Sequence, residues 1–149
     1  MKKRITLSLI IAVAVVVLDQ ITKYLVRTYV GTYESIELLP ILNLVNVQNK
    51  GAAFGMFRSF GNLFFIFISF AALVFMSWVI VKDKEDYRIF ALLAGGAAGN
   101  LIDRLTLGYV VDFVDVAVAG HHWPAFNVAD SALSIGMVLM ALSILRKQK

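Results

Sequence analysis

Cysteine is absent from these 149 residues and proline occurs twice. Without a thiol there is no disulfide, no thiolate zinc site and no cysteine nucleophile. Charge is also scarce, at 16% of residues against 60% hydrophobic ones, and mean hydropathy is +0.80. That balance is too apolar for an ordinary soluble domain and fits a polytopic membrane protein. A net charge of +4 invites a nucleic-acid reading. The basic residues, however, sit at the ends of apolar segments rather than in one patch, so nucleic acid is not expected as a partner. No internal repeat, low-complexity tract or linker divides the chain, which reads as one domain.

What is present is a set of four apolar segments, about 5–25, 61–81, 87–107 and 126–145. Each is roughly 20 residues, enough as a helix to cross about 30 Å of hydrocarbon. The start, MKKR before ITLSLIIAVAVVVL, also has the look of a secretory signal peptide. A small-x-small cleavage site is missing and three more spans follow, so the first segment is expected to stay.

Basic residues set the orientation. Lys2, Lys3 and Arg4 precede the first segment, Lys82, Lys84 and Arg88 flank the turn between the second and third, and Arg146, Lys147 and Lys149 close the chain. The longer stretches on the other side, 26–60 and 108–125, hold only Arg27, Lys50 and Arg58. Both termini are therefore expected on the cytoplasmic side, with Trp78 and Trp123 as interfacial anchors.

With that topology the polar residues inside the spans gather at the outer end. Asp19 and Lys23 fall late in the first, and Asn100, Asp103 and Arg104 late in the third. Asn127, Asp130, Ser131 and Ser134 fall early in the fourth, spaced i, i+3, i+4 and i+7 as one stripe. Lipid does not tolerate such stripes, so they are expected to face inward. Gly95, Gly96, Ala97, Ala98 and Gly99 predict a close helix approach. In the outer stretch 26–60, SIELLP and ILNLVNVQ predict a small sheet. GAAFG after Asn49 and Lys50 reads as a close-approach loop, whose Phe54, Met56 and Phe57 suit the membrane surface.

Most of these groups have a supporting reading. Asp19–Lys23 is expected as an i, i+4 pair anchoring the outer end. Asp103 and Arg104 are expected to pair at a helix end, with Arg104 also able to orient a carboxylate. Asn100 and Asn127 serve as hydrogen-bonding supports, since a carboxamide is no base near neutral pH. Asp115 reads as a solvated loop residue. Asp112, in the apolar VVDFV, and Asp130, about one turn into the last segment, are harder to dismiss. If the 108–125 loop folds back they can face each other, and two close carboxylates share one proton. Such a pair can activate water and protonate a leaving group. Two alternatives stay open on residues alone. Asp112, Asp115, His121 and His122 could hold a metal in a hydrolase, though no HExxH pair is present. An ion-coupled small transporter could use the same acids as a proton relay.

GNLIDRLTLGYVVDFVDV followed by PAFNVADSALSIG resembles the signature of the lipoprotein signal peptidases (signal peptidase II), aspartyl proteases of the bacterial inner membrane. LDQITK and QNKGAAFG extend the likeness over nearly the whole chain. The resemblance implies an all-α membrane protein of four transmembrane helices, with a small periplasmic β-sheet subdomain after the first helix that covers the substrate. It implies a catalytic dyad at Asp112 and Asp130, supported by Asp19, Lys23, Asn49, Gly51, Asn100, Asp103, Arg104 and Asn127. It further implies cleavage of a prolipoprotein just before its diacylglyceryl-modified cysteine, without a metal or other cofactor, at an active site that faces the periplasm; a monomer among membrane lipids is expected.

Overall fold

The computed structural model describes residues 1–51, 60–82 and 86–147. Helix α1 is Lys2–Tyr29, followed by strands β1 (Ser35–Leu39) and β2 (Leu42–Asn49). Helices α2 (Gly61–Lys82) and α3 (Tyr87–Thr106) come next. Strands β3 (Val110–Val118) and β4 (His121–His122) then lead into α4 (Val128–Lys147). The chain is mostly helical, and α1, α2 and α4 are each long and apolar enough to cross a membrane. A helix suits that setting because it satisfies its own backbone where no water is available.

Helix α3 touches each of the other three. Its buried Phe90, Leu93 and Ala97 pack with Met76, Val79 and Ile80 of α2. Glycines make the other two contacts possible. A Cβ on Gly95 would lie 2.8 Å from the Val15 side chain of α1, and one on Gly96 would lie 2.6 Å from the Ala129 carbonyl of α4. The expected close approach is thus made with two different helices, on two faces of α3.

Outside the helices, β1–β2–β3–β4 form one antiparallel sheet in that order. The expectation confined the sheet to the stretch after α1 and left 108–125 as a loop. Instead VVDFVDVAV is the long strand β3, pairing Asn43 with Asp115 and Val47 with Asp112. Its valine-rich run, interrupted by Asp112 and Asp115, is buried on both faces over its first four residues. At 28 residues α1 spans about 42 Å, so its end reaches the sheet. There Val26 and Val30 pack against Val111 and Phe113 of β3, and Asn46 Nδ2 donates to the Val30 carbonyl at 2.8 Å.

Between Leu44 and Val47 the β2–β3 register slips by one residue, a bulge that turns the end of β2 relative to β3. The GAAFG loop beyond Gly51, with Phe54, Met56, Phe57 and Arg58, lies outside the described residues, as do Lys84 and Lys149.

Candidate active site

Both connections that build the sheet leave the same end of the helix bundle, and the polar residues of α1, α3 and α4 converge beneath it. At the base, Lys23 is 2% exposed and Asp19 fully buried. Lys23 Nζ lies 2.7 Å from Asp19 and 3.1 Å from Asp103, and it donates to Asn100 Oδ1 at 3.0 Å. A buried ammonium is tolerated only when paired and hydrogen-bonded, and here two carboxylates and an amide supply that.

Each carboxylate of this base also holds backbone from another element. Asp19 Oδ1 accepts the Ala129 N–H of α4 at 2.9 Å. Asp103 Oδ2 accepts the Val111 N–H of β3 at 3.0 Å. The second bond fixes β3 directly after α3, across a turn at Gly108 whose φ of +80° favours glycine. Asp103 therefore pairs with Lys23, not with the adjacent Arg104 as expected. Successive helical residues diverge by about 100°, which sends Arg104 elsewhere. Its guanidinium lies over the Phe65 ring at 5.1 Å and donates to the Gly51 carbonyl at 3.3 Å.

Above the base stand Asp112 and Asp130, linked by two asparagines. Asn127 precedes α4 and caps it, its Oδ1 accepting the Asp130 N–H at 2.8 Å. Asp130 therefore lies in the first helical turn. Asn127 Nδ2 donates to Asp112 Oδ1 at 2.7 Å and to Asn100 Oδ1 at 3.2 Å. Asn100 Nδ2 in turn donates to Asp130 Oδ1 at 2.8 Å. On the sheet side Asn49 Nδ2 donates to Asp112 Oδ2 at 2.9 Å, while its Oδ1 accepts the Gly51 N–H at 2.9 Å. Burial, and next the charge of Asp130, push the Asp112 carboxyl up to about 7.

All ten residues singled out by sequence thus fall within one connected array. Asp115 and Ser134 depart from their expected places. Asp115 is buried rather than solvated, 2.8 Å from His122 Nδ1 and 2.7 Å from Asn43 Nδ2. Strand alternation puts Asp115 and Asp112 on opposite faces of β3. The set Asp112, Asp115, His121 and His122 is therefore not gathered into one cluster. Ser134 is exposed, so the polar stripe of α4 ends at Ser131.

Sequence reasoning missed Gln20, whose amide donates to Asp103 at 2.9 Å and to the Gly99 carbonyl at 3.2 Å. Its i, i+3 spacing from Lys23 was the available signal. It also missed Asn62 of α2, which holds the Arg104 carbonyl at 2.9 Å.

A family model described as Signal peptidase (SPase) II matches residues 11–146. The lipoprotein signal peptidase of Thermodesulfovibrio yellowstonii is 48% identical over 133 residues, covering 89% of this chain and 90% of that one. That of Geobacter metallireducens is 42% identical over 149 residues, covering 95% and 91%. Two solved structures, both described as bacterial membrane enzymes, are also similar. One has a TM-score of 0.89 at 37% identity, covering 97% of this chain and 91% of that one. The other has 0.84 at 38%, covering 95% and 94%. The chain belongs to the signal peptidase II family and is an aspartic-type peptidase of the membrane.

Proposed function

We propose that this protein removes the signal peptide from diacylglyceryl-modified prolipoproteins at the outer face of the inner membrane, with Asp112 and Asp130 as its catalytic dyad. The observation that carries this reading is the asparagine bridge, Asn127 to Asp112 and Asn100 to Asp130, which holds two acids from separate elements at one site. Relatives named lipoprotein signal peptidase, matched over nine-tenths of their length, support the substrate class.

The two acids divide the work. Asp112, with its carboxyl near 7, keeps the shared proton. Asp130 sits in the first turn of α4, where the helix end favours negative charge. Asp130 draws a proton from a water lying between them as that water attacks the scissile carbonyl. Asp112 donates its own to the carbonyl oxygen, and protons then pass to the leaving amine. Neither step calls for a metal or other cofactor. Asp19, Lys23 and Asp103 hold β3 and α4 in place, and Asn49, Gly51 and Arg104 tie in the end of β2.

Four helices cross the bilayer in this reading, α3 shielded by its neighbours, with both termini cytoplasmic. The sheet is then periplasmic and covers a substrate whose acyl chains remain in hydrocarbon. The protein acts as a monomer in this reading.

Purified protein offered a precursor with and without the diacylglyceryl group tests the substrate. Cleavage of the lipidated form alone, leaving the modified cysteine at the new N-terminus, is expected. Equal cleavage of both forms contradicts the reading.

A further inference from the structure

At the bundle end opposite Asp112, helices α1, α3 and α4 leave a cavity of about 550 Å³ between them. Its inner wall is hydrocarbon, from Ile11 of α1, Leu92 of α3, and Leu139 and Leu142 of α4. Its rim carries Arg88 from the start of α3 and Arg146 and Lys147 from the end of α4. Asp86, the acid among the described residues of that rim, accepts the Arg88 N–H on Oδ1 at 2.9 Å. Basic residues at helix ends are ordinary in a membrane protein. Two arginines distant in sequence sharing one rim over an apolar hollow of ligand size are not explained by topology alone.

An occupant must be anionic at one end and hydrocarbon at the other, and it must lie where the helices leave the bilayer. A zwitterionic lipid would bring a further cation to a rim that already has three. We propose that this cavity binds one anionic glycerophospholipid. Its phosphate lies against Arg88 and Arg146, whose planar forks match phosphate oxygens in pairs. The upper part of an acyl chain runs over Ile11, Leu92, Leu139 and Leu142. The Ser143 hydroxyl, on the same wall, is a donor for the lipid's ester or headgroup oxygens. The site is separate from the Asp112 array and depends only on the chain being a membrane protein, so its failure leaves the peptidase reading untouched.

The test is native mass spectrometry of the full chain released from nanodiscs of equal phosphatidylglycerol and phosphatidylcholine. Wild type is expected to retain one phosphatidylglycerol in preference to phosphatidylcholine. Arg88→Gln with Arg146→Gln is expected to weaken that retention by about fivefold per cation removed. Arg27→Gln, on α1 toward the other end, is expected to leave it unchanged. Leu139→Trp fills the cavity with the rim intact, and it is expected to abolish retention. Equal retention of both lipids by wild type overturns the proposal. So does unchanged phosphatidylglycerol retention in either the double-arginine variant or Leu139→Trp.

Discussion

Asp112 is costly where it stands. Asn49 and Asn127 donate to its two oxygens, yet burial and the neighbouring Asp130 still hold its carboxyl near 7. A carboxyl raised in the folded state binds a proton that the unfolded chain has already released. Stability is therefore greatest below the ordinary aspartate range and falls as pH rises through about 7. Thermal unfolding in detergent should show the wild-type midpoint dropping between pH 5 and pH 8 (values set about the Asp112 pKa), with a smaller drop in Asp112→Asn. Parallel pH curves for the two proteins would contradict the assignment. Asp112 and Asp130 stood out in the sequence because one lies in the apolar VVDFV and the other about one turn into an apolar segment. Asp115 misled because 108–125 was read as a loop, in which an acid is solvated, and it is buried instead. Its environment is set by Asn43 and His122, which reach it only through strand pairing that local sequence does not encode.

Helices α1, α2 and α4 were legible as elements because each is a long apolar run, and the polar residues within the helices were legible as exceptions. Strand β3 was not, because a strand buried on both faces loses the alternation that identifies one. Its partner β2 was, through the alternating ILNLVNVQ. Helix α3 illustrates how much rests on absent side chains. A Cβ at Gly99 would lie 2.6 Å from Asp19 Oδ2, and one at Gly96 2.6 Å from the Ala129 carbonyl and 2.9 Å from Leu133 Cγ. Backbone cannot give way as a flexible side chain can, so Gly96→Ala must push α4 outward. A loss of about 1–3 kcal/mol is expected, together with reduced peptidase activity because α4 carries Asp130. Unfolding measurements in detergent that find Gly96→Ala as stable as wild type would show that α3 and α4 are not so closely packed.

For the molecule as a whole, polarity is divided between two ends. Arg4 bonds the Val81 carbonyl at 2.9 Å, which brings the start of α1 to the end of α2. Arg88, Arg146 and Lys147 lie at that same basic end, and the sheet and the Asp112 array at the other. The absence of cysteine makes this division easy to test. Glu37→Cys in the exposed strand β1 should react with an impermeant maleimide in intact spheroplasts, and Lys3→Cys only after permeabilisation. The reverse pattern would invert the topology and put the dyad on the cytoplasmic side.

The central claim is that Asp112 and Asp130 act together on one water. Asp112→Asn and Asp130→Asn, each confirmed as folded by its unfolding transition, should be assayed on a diacylglyceryl-modified precursor. Each is predicted to lose on the order of 100- to 10,000-fold or more in cleavage rate. A folded variant that still processes the precursor at close to the wild-type rate would contradict the account.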